Sequence, residues 1–225
     1  MYNFVALMPM RHFSSRVKGK NYREFANGNP LFYQMAEKLL SCTEIDKVVI
    51  NTDSSIIKEL CIKDFPEILI IDRPESLTSE YCPMNDILIH DAHTVSSRFY
   101  IQTHSTNPLL TVDSLNNSLK IFKKNFPIYD SLFSVTRKQN RYWDSMSRPI
   151  NHNDKILIRT QDLPPIYEEN SCIYIFERDL LIQNRNRIGN RPFLYEIDAV
   201  EAIDIDEEID FYLAERIFEI QTKKL

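Results

Sequence analysis

The chain contains very little glycine. Among its 225 residues only Gly19, Gly28 and Gly189 are glycines. A GxGxxG dinucleotide fingerprint and a Walker loop each need several glycines close together, so both motifs are excluded. Any phosphate-binding loop in this chain must therefore hold phosphate mainly with side chains and a few backbone amides.

Long apolar runs and an excess of positive charge are also absent. The N-terminal apolar run is too short to span a bilayer and no basic segment precedes it, so we expect neither a membrane segment nor a signal peptide. The net charge is −5, whereas bulk nucleic-acid binders are normally basic. We therefore expect no membrane and no nucleic acid as partner, although a local basic loop can still bind an anionic substrate.

Cysteine is sparse and scattered. Cys42, Cys61, Cys82 and Cys172 include no Cys-x-x-Cys pair. Because no signal peptide is expected, we interpret them as reduced core thiols of a cytoplasmic protein rather than as disulfides or zinc ligands.

Apolar strand patterns alternate with helical patterns along most of the chain. Strands are predicted at 3–8, 47–51, 68–71, 100–102, 131–136 and 172–176. Helices are predicted at 30–40, 54–62, 83–97, 114–124 and 207–222. The apolar face of the last helix is predicted to consist of Ile209, Leu213, Ile217 and Ile220. This alternation favours a three-layer, Rossmann-like α/β fold with a mostly parallel central sheet and helices on both faces.

The pattern changes near residue 137. A polar stretch rich in Asn, Arg and Asp, with the lone tryptophan Trp143, extends to Pro165. We interpret it as an excursion, at about 137–170, from a single domain that spans 1–225.

The loop after the first strand is basic. It carries four cations, Arg11, Arg16, Lys18 and Lys20. Fixed cations together with hydroxyl groups can bind a nucleoside triphosphate through charge-assisted hydrogen bonds. The alternative is an ordinary solvated basic loop, and composition alone leaves both interpretations open.

Two acids near the C-terminus form a second candidate. Asp204 and Asp206 alternate along an extended segment, so both side chains are expected on one side. Two carboxylates on one side can hold Mg²⁺, which prefers oxygen ligands. The alternative is an acidic helix start, which the helix dipole favours.

The order of residues in the basic loop is specific. Pro9 follows the strand, then Arg11, Ser14 and Arg16, and finally Gly19-Lys20-Asn21. This order resembles the nucleotide loop of the CMP-sugar synthetases, the acylneuraminate and Kdo cytidylyltransferases. Further segments resemble the same family in order and at compatible spacing: 49–54, 72–77, 106–110, 161–175 and 203–210. The resemblance extends from residue 5 to about residue 215.

This resemblance implies a glycosyltransferase-A-like (GT-A-like) α/β/α nucleotidyltransferase fold. It implies transfer of CMP from CTP to an acidic keto-sugar, a sialic acid or another nonulosonic acid, with release of pyrophosphate. Mg²⁺ is the implied cofactor. A homodimer is also implied, in which the excursion at about 137–170 reaches over the partner subunit.

The resemblance also implies roles for individual residues. The triphosphate is expected to be held by Arg11, Ser14, Ser15, Arg16 and Lys20. The cytidine is expected to contact Asn21, Arg73 and Asn85. Mg²⁺ is expected at Asp204 and Asp206, and catalysis is expected to depend on Arg11, Lys20 and Asp204. Candidates for the sugar side are Gln102, His104, Arg159, Gln161 and Tyr174.

Two departures from the family pattern leave the acceptor open. His12-Phe13 replaces a pair of small residues, and His104 stands where the family has a glutamine, a contact that Gln102 could take over. One rival hypothesis is the same fold acting on Kdo, on a modified nonulosonate, or on a phosphonate or phosphate. Another is a nucleotide-binding protein without catalysis, against which the presence of both Asp204 and Asp206 argues.

Overall fold

The computed structural model describes residues 2–223, and within this range it contains seven strands and six α-helices. The strands are β1 (Tyr2–Leu7), β2 (Lys47–Thr52), β3 (Leu69–Asp72), β4 (Ser97–Gln102), β5 (Ser131–Lys138), β6 (Ile166–Glu177) and β7 (Pro192–Glu196). The helices are α1 (Leu31–Ser41), α2 (Ser55–Asp64), α3 (Met84–Thr94), α4 (Val112–Asn125), α5 (Arg178–Asn184) and α6 (Glu208–Thr222). Strands and helices alternate up to β5, as the hydrophobic pattern predicts.

The described strands form one sheet in the order β3-β2-β1-β4-β6-β5-β7. β1 pairs in parallel with β2 and β4, β2 with β3, and β5 with β7. β6 lies antiparallel to both β4 and β5. The predicted mostly parallel sheet is therefore confirmed, with β6 as the exception.

Both faces of the sheet are covered by helices, and the central strand β1 shows why. Its side chains alternate between two cores: Phe4 and Ala6 pack with α1, α2 and α4, whereas Val5 and Leu7 pack with α3 and α5. A parallel strand buried on both faces needs apolar residues at successive positions, and β1 supplies them. The three-layer arrangement is confirmed.

A third, smaller apolar cluster joins the first loop to α6. Val17 and Phe25 of the loop pack with Ile205 and with Phe211 and Ala214 of α6. The rings of Phe25 and Phe211 meet edge to face, with centroids 5.7 Å apart. This cluster holds the basic loop against the acidic segment before α6.

Several predicted bounds differ from the structure. α3 ends at Thr94 rather than near residue 97, because Val95 is extended and Ser97 begins β4. β5 extends to Lys138 and β6 begins at Ile166, so the excursion is confined to residues 139–165. The sequence pattern missed α5, β7 and the first half of β6, whose side chains are largely solvent-accessible and therefore lack apolar alternation.

The predicted apolar face of α6 is wrong. Ile209, Leu213 and Ile220 are exposed, and α6 instead buries Phe211 and Ala214. A second apolar stripe of α6 packs into the third apolar cluster, and this contact determines which face of the helix is buried. None of the helices described between residues 2 and 223 is both long and apolar enough to cross a bilayer.

The four cysteines are free thiols. Cys42, Cys61 and Cys172 are buried as expected, and burial raises the pKa of each thiol. Cys82 departs from the expectation of a core position, because it is only half-buried in the loop before α3.

Candidate active site

The chain leaves β1 along the edge of β2. The backbone N–H of Met8 donates to Val49 O and that of Met10 to Asn51 O, both at 2.9 Å. This pairing takes Arg11 to the carboxyl end of β2. In open α/β sheets ligands bind beyond the carboxyl ends of the strands, so the basic loop begins at the expected binding edge.

Gly19 closes the basic loop. Its φ is +63°, and a Cβ at this position would lie 2.8 Å from the Tyr22 ring. Only glycine satisfies both the left-handed backbone and the close ring contact without strain. The turn at Gly19 directs Lys20 back toward the acidic segment.

His12 and Phe13, the bulky pair of the loop, do not line the cleft. The His12 N–H donates to Asp53 Oδ1 at 2.7 Å, and its Nδ1 lies 2.8 Å from Ser54 Oγ. The His12 ring stacks on Tyr22, and Phe13 is exposed. His12 therefore fixes the loop to the end of β2, and its size does not narrow the binding site.

The acidic segment is attached to the loop that follows β4. The Ile205 N–H donates to Thr106 O at 2.9 Å, and Asn107 Nδ2 donates to Ile203 O at 3.3 Å. Ile205 is fully buried. Because its side chain points inward, Asp204 and Asp206 on either side of it both face the cleft, as the predicted alternation requires.

These elements surround a cleft of about 430 Å³. Eight residues singled out in the sequence line it: Arg11, Arg16, Lys20, Asn21, Arg73, His104, Asp204 and Asp206. Cys82, Ser171 and Arg187 are among its other lining residues. The structure therefore brings the basic loop and the acidic pair into one site, where Arg16 and Asp206, 190 residues apart in sequence, are in direct contact.

Lys20 and Arg16 are positioned by the acidic segment. Lys20 Nζ donates to Ile205 O at 2.6 Å and lies 3.7 Å from Asp206 Oδ1. Arg16 Nη2 contacts the same carboxylate oxygen at 2.7 Å. Burial lowers the pKa of Lys20, and the nearby Asp204 and Asp206 oppose that effect. Ion pairs with the acidic segment thus hold the two cations in place at the cleft.

Asp204 has the features of a carboxylate that needs a cation. Its Oδ1 is buried and has no hydrogen-bond partner within residues 2–223. Burial raises the pKa of Asp204, and a hydrogen bond from Thr106 opposes the rise. The oxygen donors of Asp204 and Asp206 fit Mg²⁺. The described residues contain no cluster of three acidic, histidine or cysteine side chains, so phosphate and water would complete such a site.

Arg73 is held by a buried polar chain. Its Nε donates to Asn51 Oδ1 at 2.7 Å and its Nη2 to Asn51 O at 3.0 Å. Asn51 Nδ2 in turn donates to Asp91 Oδ1 at 2.5 Å. Because a carboxylate only accepts, Asp91 fixes the Asn51 amide with its oxygen toward Arg73. This chain orients a guanidinium at the wall of the cleft.

Asn21 supports the loop from within. Its Nδ2 donates to Arg11 O at 2.9 Å, and its Oδ1 accepts from Ser105 Oγ at 2.7 Å. Both polar atoms of the side chain are used inside the protein. Although Asn21 lines the cleft, its geometry is that of a residue that fixes the backbone at Arg11.

His104 and Arg187 line the other end of the cleft, and Gln102 and Tyr174 lie fully buried behind them. Gln102 and Tyr174 are directly opposed across β4 and β6. Arg187 Nη1 donates to Gln102 Oε1 at 2.6 Å, and Gln102 Nε2 lies 2.9 Å from His104 Nε2. Arg187 only donates, so the Gln102 oxygen faces it and the Gln102 amide donates to His104 Nε2. His104 therefore carries its proton on Nδ1.

His104 is expected to stay neutral far below the usual histidine range. Burial lowers its pKa to about 3, and Arg187 and Lys20 add to the effect. The His104 imidazole takes up a proton more readily in the unfolded chain than in the folded protein. The folded protein therefore loses stability as the pH falls through the unfolded pKa, which is near 6.5. We predict that, between pH 8 and pH 5, the free energy of unfolding of wild type falls by about 2 kcal/mol more than that of His104→Gln.

Denaturant unfolding at the two pH values measures this effect. Nitrogen NMR should also show a neutral His104 imidazole with its proton on Nδ1 at pH 5. His93→Gln, on the exposed side of α3, is the surface control. An imidazolium signal from His104 at pH 5, or equal acid sensitivity of wild type and His104→Gln, would show that this histidine is not constrained as described.

Some predicted site residues do not line the cleft. Ser14 is buried and Ser15 is exposed. Asn85 binds Asn186 and the Arg187 backbone. Gln161 lies in a short 3₁₀ turn of the excursion, and Arg159 directly precedes this turn. Arg159 pairs with Asp162 of the same turn at 2.7 Å. Gln102 and Tyr174, predicted on the sugar side, are fully buried and do not line the cleft either. Within one chain, the structure does not bring these seven residues to the cleft.

The fold and the cleft define the class of protein. A three-layer α/β sheet whose strand ends carry a cationic loop opposite two carboxylates has a nucleotidyltransferase-like fold. The cytidylyltransferase family model matches residues 5–224, and the chain belongs to this family.

Two relatives and one solved structure are similar to almost the whole chain. Post-translational flagellin modification protein B of Campylobacter coli is 27% identical over 223 residues, which cover 94% of this chain and 92% of that protein. The CMP-N,N'-diacetyllegionaminic acid synthase of Legionella pneumophila is 25% identical over 240 residues, covering 98% of each. The structure of a CMP:2-keto-3-deoxy-manno-octonic acid synthetase complexed with CTP aligns with a TM-score of 0.70 at 16% identity, over 99% of this chain and 100% of that one.

Proposed function

We propose that this cytidylyltransferase transfers CMP from CTP to a nonulosonic acid and releases pyrophosphate. The observation that carries the proposal is the cleft in which Arg11, Arg16 and Lys20 face Asp204 and Asp206. Three cations suit a triphosphate, and two carboxylates beside them suit the metal ion that accompanies it. The Legionella relative, named for a legionaminic acid, supports this class of acceptor.

The chain's own residues account for the proposed chemistry by positioning and charge. The acceptor hydroxyl gives up its proton to solvent as its oxygen attacks the α-phosphorus of CTP, the bond from that phosphorus to the bridging oxygen of the β-phosphate breaks, and pyrophosphate leaves. Lys20 and Arg11 stabilise the charge that develops on the phosphate oxygens, and Arg73 stays fixed at the cleft wall by Asn51. Asp204 and Asp206 would hold Mg²⁺, which would polarise phosphate oxygens when bound.

An acceptor panel tests this function. The purified protein is incubated with Mg²⁺, one nucleoside triphosphate and one acceptor, and pyrophosphate release is measured. The acceptors are N-acetylneuraminic acid, N,N'-diacetyllegionaminic acid, 2-keto-3-deoxy-manno-octonic acid and a simple alkyl phosphonate. We expect release with CTP and a nonulosonic acid, and none with UTP, GTP or ATP.

The panel also separates the rival functions. Preference for 2-keto-3-deoxy-manno-octonic acid or for the phosphonate would contradict the proposed acceptor while leaving cytidylyl transfer intact. Tight CTP binding without pyrophosphate release for any acceptor would contradict catalysis itself. The arrangement of Lys20 against Asp206, and the unpartnered oxygen of Asp204, favour the catalytic function over a binding function.

We also propose a homodimer formed through the excursion. This segment exposes several large apolar side chains, including Trp143 at 50%, Ile156 at 59% and Leu157 at 89%. Burying such side chains against a second copy would remove them from water. In such a dimer, Arg159 and Gln161, which do not reach the cleft of their own chain, would reach the cleft of the partner subunit.

Light scattering after size exclusion measures the oligomeric state. We predict a wild-type dimer and a monomeric Ile156→Glu/Leu157→Glu variant. Ile62→Glu, at an equally apolar position on α2 that is 68% exposed, should remain dimeric. A monomeric wild type, or a dimeric double variant, would contradict the proposed interface.

A further inference from the structure

Arg187 lies on a loop that the structure fixes in place. The loop connects α5 to β7 and is attached to the beginning of α3. The Arg187 N–H donates to Asn85 Oδ1 at 3.2 Å, and Asn85 Nδ2 donates to Asn186 Oδ1 at 3.3 Å. Asn85 therefore determines where the Arg187 backbone enters the cleft.

The Arg187 guanidinium is also held rigidly. It donates to Gln102, and its central carbon lies 3.5 Å from the centroid of the Tyr174 ring. The Tyr174 hydroxyl is anchored by Glu169 and Ser171. Stacking on an aromatic ring fixes the orientation of the planar guanidinium, and therefore the direction of its remaining N–H groups. A guanidinium fixed in this way is suited to bidentate binding of a carboxylate.

Arg187 has no carboxylate partner. In residues 2–223 no aspartate or glutamate forms an ion pair with it, and Glu169 acts only at longer range because its carboxylate accepts from Tyr174. Its neighbour Arg185, in contrast, pairs with Asp86 at 2.5 Å. A largely buried cation without a counter-charge is unfavourable unless a ligand supplies one. Arg187 lines the cleft, so an anionic group in the cleft is the available partner.

The surroundings distinguish this anion site from the triphosphate site. Arg16 and Lys20 have carboxylates beside them, whereas the Arg187 end has Gln102, His104 and Tyr174. His104 carries its proton on Nδ1, and residues 2–223 give that proton no acceptor. A fixed guanidinium beside a neutral N–H donor can bind a carboxylate and an adjacent hydroxyl.

We infer that Arg187 binds the carboxylate of the acceptor and thereby determines the specificity for an acidic sugar. The inference rests on the proposed function, because it gives the acceptor of that reaction its anchor. It places the acceptor against Arg187 and His104, which line the cleft, while the buried Gln102 and Tyr174 hold Arg187 in place from behind. The site would then discriminate against a neutral sugar, which would leave Arg187 buried without a counter-charge.

Steady-state kinetics with two acceptors tests the role of Arg187. The acceptors are the panel acid that turns over fastest and the carboxamide of the same acid, which lacks only the negative charge. Wild type, Arg187→Met and Arg187→Lys are compared, since methionine keeps the apolar contact with Tyr174 and lysine keeps the charge. Arg191→Met, on the same loop but exposed, is the matched control. Calorimetric titration with CTP verifies that each variant is folded.

We expect Arg187→Met to raise the KM for the acid by about 10- to 100-fold and to leave the KM for CTP within about twofold. Its preference for the acid over the carboxamide should disappear, Arg187→Lys should retain part of it, and Arg191→Met should match wild type. An unchanged acid preference in Arg187→Met, or a rise confined to the KM for CTP, would overturn the inference while the proposed function stands. Absence of wild-type turnover with every acid would overturn both.

Discussion

Asp204→Asn should abolish cytidylyl transfer and at the same time make the protein more stable. Turnover is expected to fall by at least about 1,000-fold, because the variant loses a carboxylate proposed to hold the metal ion beside the triphosphate. Stability should rise because the Asp204 carboxylate is buried with Oδ1 unpartnered. A neutral isostere removes that unfavourable charge.

The pH dependence of this stabilisation follows from the raised pKa. The folded protein holds the Asp204 proton more tightly than the unfolded chain, so wild type loses stability as the pH rises through the range between the two pKa values. The advantage of Asp204→Asn should therefore be present at neutral pH and vanish in acid. Thermal unfolding at pH 4 and pH 7.5 measures it.

Asp198→Asn is the matched control for this prediction. Asp198 precedes Asp204 in the same segment but is exposed and does not line the cleft. Both turnover and thermal stability of this variant should stay near the wild-type values. Normal turnover by folded Asp204→Asn would remove Asp204 from the proposed metal site, and lower stability at neutral pH would contradict the burial argument.

Lys20→Met should reduce turnover by about 100- to 1,000-fold. Methionine retains the apolar stem but loses the ammonium group that donates to Ile205 O and lies beside Asp206. We expect the loss mainly in kcat, because the charge on the phosphate oxygens increases toward the transition state. CTP affinity should weaken less, since Arg11 and Arg16 remain. Pre-steady-state turnover and calorimetric CTP titration separate the two effects.

Lys18→Met removes an equal charge from the same loop. Lys18 is exposed and does not line the cleft, so its removal should change turnover by less than about twofold. If Lys18→Met and Lys20→Met reduced turnover equally, the general charge of the loop would matter and the position of Lys20 would not.

The sequence predicted the parts of the fold that are buried on both sides. β1 and β2 each contain an uninterrupted run of buried apolar residues, at 4–7 and 48–50, and such runs are visible without a structure. The order of cations in the basic loop also predicted which of them reach the cleft. Three of its four cations line the cleft, and the exposed Lys18 does not.

Other features depend on tertiary packing that sequence patterns do not contain. α6 carries two apolar stripes, and only the position of the third cluster determines that Phe211 rather than Leu213 is buried. Arg185, Arg187 and Arg191 look alike in a polar loop. The structure separates them, because Arg185 pairs with Asp86 while Arg187 stacks on Tyr174. Three arginines lie between α5 and β7, and their order in the sequence does not single out Arg187.

The fate of each phosphorus atom of CTP tests the central claim most directly. Wild-type protein is incubated with Mg²⁺, a nonulosonic acid and CTP labelled either at the α- or at the γ-phosphorus. The proposed transfer predicts that the α label appears in a CMP-sugar and the γ label in an equal amount of pyrophosphate, both requiring the acid. Recovery of both labels in unchanged CTP, or of the α label in free CMP without a sugar conjugate, would contradict it.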